Sequence, residues 1–400
     1  MSWARRLAGL LVVGAVVLPA ASAGAVPAFA RRYEVSCGTC HQYHYPRLNA
    51  FGTRFMLNGY QLPDGAEDPA RARRMLEPGT IADRLTVFRE LPLSVRAQAV
   101  ADFDRSSGEH APVYDSRVSA SLAGGGSVAR DVSFFFSWNA APTPLLHQAR
   151  VGLHNLGARA LGAGAVNVKA GLLLLLDGQR PAHRSLAPGT TLGVAVGQNP
   201  FVLDDSTLGL ALYGRPGWGR FGYEVALVSG PPGVGADPDQ WKDVFGRVSW
   251  TFFLDTPHEL EVGVLGYLGR ASLVSQVGGI TIDHRDDFWL AGGDLELDLG
   301  PVTAMARGFF SRHDDATPAG GAVDLTTIRA ELIWGVNRHM VAGLALDANL
   351  SPDDHDLERS QLAAHASHVV ASNVLGTVVV RGDVQHAEQF SASALLEVAF

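Results

Sequence analysis

From Leu93 onward the chain alternates apolar and polar residues in stretches of about ten, each closed by Gly, Pro, Asp or Asn. A period of two sends successive side chains to opposite faces of a strand, so each stretch carries two rows of different character. In LSVRAQAVADF, Leu93, Val95, Ala97, Ala99, Ala101 and Phe103 form one row; Ser94, Arg96, Gln98 and Asp102 form the other. Leu295, Leu297 and Leu299 oppose Asp294, Glu296 and Asp298, and Ile328, Ala330, Leu332 and Trp334 alternate with Thr327, Arg329 and Glu331. Lipid outside and water inside accounts for both rows. The expected fold is mainly β: a transmembrane antiparallel β-barrel of about 16 strands over residues 91–400.

A soluble sandwich or propeller also alternates, because one face is buried. Two details favour the membrane. In the terminal SASALLEVAF, Ala392, Ala394, Leu396, Val398 and Phe400 share a face, resembling the last strand of outer-membrane barrels. Aromatics gather near strand ends at Trp250 to Phe253, at Phe309 with Phe310, and at Trp334, as interfacial girdles require. Long links at 383–389, 350–358, 311–323, 269–286 and 230–241 alternate with short ones near 372, 335, 300 and 255. Short turns belong to the periplasmic side of such a barrel and long loops to the outside. Between 140 and 215 this parity fails, which points to a miscounted or inward-bent strand.

Composition agrees with a barrel. The chain is 47% hydrophobic yet only 18% charged, below the roughly 25% of soluble domains, and it holds 45 Gly. Past the N-terminus the longest apolar run is Leu172 to Leu176, far short of the ~20 residues a spanning helix needs. A net charge of -8 argues against nucleic acid, and two cysteines cannot staple so long a chain.

The first residues have another purpose. Arg5 and Arg6 precede an apolar stretch from Leu7 to Ala20 and then small residues, the order of a secretory signal peptide. Ala21-Ser22-Ala23 gives a signal of residues 1–23; Ala28-Phe29-Ala30 offers a later cleavage, at 30. A membrane anchor is the other reading, but the stretch is short for a span.

Both cysteines fall in Cys37-Gly38-Thr39-Cys40-His41, the C-x-x-C-H spacing of covalent haem c attachment. One helical turn sets two thiols against the two porphyrin vinyl groups, and the adjacent imidazole becomes an axial ligand. A lone disulfide or half a zinc site is the competing reading; zinc would want more Cys or suitably spaced His. In the following segment Pro46 suits a first helical position, Leu48, Phe51 and Phe55 repeat on one face to cover the porphyrin or form a small core, and Gly59 supplies a stop. For a sixth iron ligand Met56 is favoured over Met75, and five-coordinate iron is also allowed; His44 sits too near His41 and suits a supporting hydrogen bond. Residues 24–90 are thus expected to be a small α-helical monohaem cytochrome c domain plugging or capping the barrel.

With Phe29-Ala30-Arg31, Cys37, Cys40, His41, Pro46, Leu48, Phe51-Gly52, Arg54-Phe55 and Asn58-Gly59-Tyr60 ahead of a barrel, the chain resembles the fused monohaem cytochrome c-porin family of bacterial outer membranes. That resemblance implies haem on Cys37 and Cys40, His41 as axial ligand, and an outer-membrane electron conduit between an extracellular donor, Fe(II) among the candidates, and a periplasmic c-type cytochrome. The alternative is a porin for small solutes whose haem segment is a structural or sensing plug; a five-coordinate haem enzyme is a third. Asp237 and Asp239; Asp283, His284, Asp286 and Asp287; His313, Asp314 and Asp315; and Asp353, Asp354, His355 and Asp356 fall in expected outer loops. Their donors suit weak capture of Fe(II), or simple solvation.

Overall fold

The computed structural model describes residues 29, 33, 35–41, 48–62, 93–104, 113–129, 131–141, 145–178, 195–232, 241–254, 258–277, 280–316, 321–337, 339–371, 374–385 and 389–399. Residues of the expected signal peptide before 29 lie outside this set, as do Ala30, His44, Pro46, Met75, Asp237, Asp239 and Phe400.

Two short helices, α1 (Cys37–Cys40) and α2 (Ala50–Leu57), precede sixteen strands. These are β1 (Leu93–Asp104), β2 (Val113–Ala129), β3 (Val132–Ala141), β4 (Leu145–Leu153), β5 (Asn167–Leu174), β6 (Ser206–Gly214), β7 (Phe221–Pro232) and β8 (Asp243–Phe252). They continue as β9 (His258–Val277), β10 (Ile280–Leu299), β11 (Val302–His313), β12 (Val323–Asn337), β13 (Met340–Leu350), β14 (Arg359–Ala371), β15 (Val374–Asp383) and β16 (Phe390–Ala399). A third helix, α3 (Ala158–Leu161), stands between β4 and β5. Each strand pairs with its neighbours in sequence, and β1 pairs antiparallel with β16 in the register Arg96↔Ala399 to Asp104↔Ser391, closing the barrel. Closure leaves no edge strand around the ring, as backbone groups surrounded by lipid require.

The two expected rows are visible in burial. On β8, Phe245, Arg247, Ser249 and Thr251 are buried while Val244, Val248, Trp250 and Phe252 are exposed. Charge on the inner row is paired: Arg96 with Glu397, Asp294 with Arg247 at 2.6 Å, and Arg329 with Asp347 at 3.2 Å. Exposed Phe221, Trp250, Phe252 and Trp334 ring the short-turn end, and Trp138, Trp289 and Phe310 the other. From Val302, opposite Trp334, to Phe310, β11 advances eight residues. At ~3.3 Å per residue and a ~40° tilt that is about 20 Å of height, close to a ~25 Å apolar band. The outward surface therefore spans a membrane. Phe309 departs from the girdle reading: it points inward and is buried, because strand parity sends it to the face opposite Phe310. Among the described residues no helix is long and apolar enough to cross a membrane.

Two expectations about links are corrected. Residues 269–286 are not a loop, since β9 and β10 pair continuously from His258↔Leu299 to Val277↔Ile280. Polar residues suggested a loop, but β-branched Val274, Val277, Ile280 and Ile282 suit a ladder. Twenty-residue strands reach about 50 Å in height at the same tilt, so this hairpin projects well beyond the lipid at the long-loop end. The lost parity between 140 and 215 also has a cause: link lengths reverse there. β3 ends at Ala141 and β4 starts at Leu145, a short spacing at the long-loop end, whereas residues 154–166, carrying α3, make a long link at the short-turn end.

The described parts of the β5–β6 connection, residues 175–178 and 195–205, pack inside the lumen. Its Leu175, Leu176, Phe201 and Leu203 pack on inward Phe245, Tyr267, Phe288 and Phe309. Val196 joins Ala316, Val323 and Leu325, and Asn199 Nδ2 donates to Asp286 Oδ2 at 2.7 Å. Burying such side chains contributes roughly 1.5–3 kcal/mol each, enough to hold a chain across the bore.

Candidate cofactor-binding site

The C-x-x-C-H residues are organised by Asn49. Helix α1 spans one turn, which brings positions 37 and 40 to one face; the Cys37 side chain lies outside the described set. The His41 backbone pairs with Leu48, and Asn49 N–H donates to Cys40 O at 2.9 Å. Asn49 Oδ1 accepts from Gly52 N–H at 2.9 Å, capping α2, while its Nδ2 donates to the carbonyls of Gly38, Thr39 and His41 at 3.3, 3.1 and 3.4 Å. The helix therefore begins at Ala50 with Asn49 as cap, later than the Pro46 start expected from sequence. Gly52 is required by contact: a Cβ there would lie 2.1 Å from Cys40 O.

At its far end α2 closes with Tyr60 N–H on Phe55 O at 2.8 Å and Gly59 N–H on Met56 O at 3.0 Å, a Schellman pair. Gly59 and Tyr60 have φ of 70° and 60°; the strain at Tyr60 is held by ring stacking on Phe29 and Phe135, at 4.5 and 5.2 Å. The expected apolar cover divides in two. Phe51 and Phe55 join Phe29, Tyr33 and Tyr60 in an aromatic cluster, whereas Leu48 packs with buried Met56, Leu57 and Tyr213. His41 is partly exposed. Cys40, His41 and the Met56 thioether are donors, and the aromatic rings an apolar cover, of the kinds that a haem c uses.

Sequence reading missed the residues that fasten α2 to the barrel. Tyr213 Oη donates to Leu57 O at 3.0 Å. Asn155 Nδ2 donates to Asn58 Oδ1 at 3.0 Å and Asp131 Oδ1 at 2.7 Å, and Asp131 N–H donates to Gln61 Oε1 at 3.2 Å. Asp131 and Asn155 both adopt φ near +60°, as short polar side chains tolerate in tight turns. Polar turn residues carry no visible sequence signal for such docking.

His154, in the link after β4, completes the clasp. Its Nε2 lies 2.7 Å from Ser133 Oγ and its Nδ1 3.2 Å from Tyr213 Oη. Since the Tyr213 proton goes to Leu57, the network assigns the imidazole proton to Nδ1, with Nε2 accepting from Ser133. Burial, reinforced by the Arg150 charge against a smaller opposing effect of Asp131, pushes its pKa down to about 4. Between about 6.5 and 4 the unfolded state therefore binds more protons, and the clasp's contribution is lost as pH falls through that window. Protection factors at Leu57 to Tyr60, which already allow for the intrinsic pH dependence of amide exchange, are expected to fall as pH drops through that window in the wild type and to stay level in His154→Gln; the same fall in the variant would reject the assignment.

Among the described residues, the acidic and histidine groups assigned to outer loops meet at most in pairs. Asp286 is buried on β10, taking hydrogen bonds from Asn199 and the Asp315 N–H and lying 2.7 Å from His313 Nδ1. Asp353 accepts from Asp324 N–H, and His355 approaches Glu358. Among the described residues no three His, Cys, Asp or Glu side chains converge on a metal-sized point.

No protein-family model and no curated protein matches the chain. Solved structures do. OmpF of Salmonella typhi, in complex with daunomycin, aligns at 11% identity and TM-score 0.52 over 77% of this chain and 97% of its own. The anion-selective porin from Comamonas acidovorans aligns at 13% identity and 0.52, over 77% and 98%; the outer membrane channel DcaP of Acinetobacter baumannii aligns at 10% and 0.51, over 77% and 96%. The described barrel has the porin fold.

Proposed function

We propose that the chain is an outer-membrane porin-fold barrel carrying one haem c on Cys37 and Cys40, with His41 as axial ligand and Met56 as candidate sixth ligand, and that it passes electrons between an extracellular donor such as Fe(II) and a periplasmic c-type cytochrome. The observation that carries this is continuity: α2 packs on the Cys40 carbonyl at one side and is hydrogen-bonded to barrel residues at the other. When bound, the group supplies reversible one-electron exchange. The chain's own contribution is to hold His41 and Met56 on segments fixed by Asn49, to surround Phe55 with aromatic rings that exclude water, and to block the bore with the β5–β6 connection.

A second reading, passage of small solutes, is favoured by the channels that share the fold. Bilayer recording of the haem-loaded protein separates the two. Negligible conductance together with haem reduction by external Fe(II) in intact cells is expected; a large steady conductance, or no reduction, overturns the conduit.

The contact of Phe29 with Tyr60 and Phe55 favours cleavage after Ala23, since cleavage at 30 would discard that ring. Mass spectrometry of the mature protein is expected to give Gly24 as its first residue, and a start at Arg31 would contradict it.

A further inference from the structure

The long link between β4 and β5 stands at the end of the barrel where turns are otherwise short, and it presents two unlike faces. One is polar and turned to α2: Asn155 Nδ2 donates to Asn58 Oδ1 at 3.0 Å, and Asn155 Oδ1 accepts from Gly164 N–H at 2.8 Å. The β6–β7 turn closes against this link, with Arg215 N–H donating to Gly164 O at 2.7 Å and Gly217 N–H to Ala163 O at 3.0 Å. Trp218 of that turn packs on the Met56, Leu57 and Tyr213 cluster, which Leu48 joins to His41. A Cβ at Gly164 would lie 2.9 Å from the Trp218 ring, so the two links meet this closely only with glycine there.

The other face meets water. Residues 156–163 lie past the last ladder pairs, Leu153↔Val168 and Tyr213↔Asn167, on the periplasmic side of the barrel. Leu156 and Leu161 are 39% and 59% exposed there, with Ala160 and Ala163 exposed beside them. Leucines left in water together mark a contact surface. Arg159 and Arg220 stand in the same two links, both exposed and neither with an ion-pair partner among the described residues. No other exposed charged side chain is described in the short-turn links, although the chain as a whole carries 40 acidic against 32 basic residues. An apolar and cationic surface steers an acidic partner toward it.

We propose that this face docks an acidic periplasmic c-type cytochrome, behind the links on which the haem segment is seated. This rests on the haem reading above. One electron crosses the contact: iron held by this chain goes from ferrous to ferric, the partner's iron goes from ferric to ferrous, and no bond or proton changes hands. Weak electron-transfer contacts bury little surface, so they need no deep groove. The test uses full-length haem-loaded protein in detergent, reduced, freed of reductant and mixed in a stopped-flow cell with an oxidised monohaem cytochrome c, either acidic or basic and of matched potential. Wild type is expected to react faster with the acidic one at low salt, with the advantage shrinking as salt rises. Arg159→Glu combined with Arg220→Glu is expected to slow that reaction about tenfold at low salt and to reverse its salt dependence. Leu156→Ser combined with Leu161→Ser is expected to slow it at high salt as well. Reduction of the haem by Fe(II) is expected to match wild type in every variant. Variants with wild-type rates, or equal rates with the two cytochromes, overturn the docking assignment alone. So does a wild-type dimer that the serine variant abolishes, which would give the face to a second copy of this chain. Wild-type protein without covalent haem overturns the reading on which the assignment rests as well.

Discussion

Replacing Cys37 and Cys40 together by Ser is expected to give a folded, membrane-inserted barrel with no covalently bound haem. The two outcomes separate because the sixteen-strand ring closes on itself through β1 and β16, with α1 forming no part of any ladder. Asn49 bonds the backbone carbonyls of Gly38, Thr39 and His41, so Cys→Ser leaves its network in place. Haem staining after denaturing electrophoresis reads the loss, which is all or none because a thioether cannot form without sulfur. On the proposed haem site, His41→Ala is expected to keep covalent pigment but change its spectrum, since an axial imidazole ligates iron without attaching the porphyrin. Retention of covalent haem by the double Ser chain would exclude attachment at these cysteines.

The largest stability effect is expected at Glu261, where one buried carboxylate serves two guanidiniums. Glu261 Oε2 accepts from Arg215 at 2.8 Å and Oε1 from Arg247 at 3.1 Å, and Thr251 Oγ1 donates to it at 3.1 Å. Arg215, Arg247 and Glu261 side chains are 8%, 7% and 2% exposed, so water offers little compensation. Glu261→Leu is expected to cost about 3–5 kcal/mol in urea unfolding, because a buried charge loses its partner. Arg247 keeps Asp294, so the orphan is chiefly Arg215. Adding Arg215→Met is therefore expected to recover most of the loss; a Glu261→Leu effect below about 1 kcal/mol, as for an exposed pair, would show that the lumen is wetter than its packing indicates.

What was legible in the sequence follows from how local each signal is. Strand faces on β1, β10 and β12 were readable because a period of two is a property of a few adjacent residues, and Ser94 with Arg96 or Asp294 with Glu296 declares it directly. Link positions were less so. The 269–286 stretch was polar enough to pass for a loop, although its β-branched residues pair across a hairpin. The inward β5–β6 connection depends on Asn199 meeting Asp286, 87 residues away, and no local pattern announces such contacts. The C-x-x-C-H motif stood out because its chemistry requires fixed spacing. Asn49, Asp131, His154 and Tyr213, which place that motif against the wall, are single polar residues recognisable only once the ring brings them together.

Closure of the ring also imposes an order of events. Arg96 meets Glu397 across a seam whose partners lie 301 residues apart in the chain, so the cylinder is incomplete until its final strand arrives. Leu175, Leu176, Phe201 and Leu203 of the β5–β6 connection meet residues of β7 to β11, and the α2 segment meets Tyr213 and Asp131, all away from that seam. Long-range pairing of this kind is slow to form. The seam is thus the one ladder that joins the two ends of the described barrel, and a chain cut short before β16 would leave β1 and β15 as open edges able to pair with other strands.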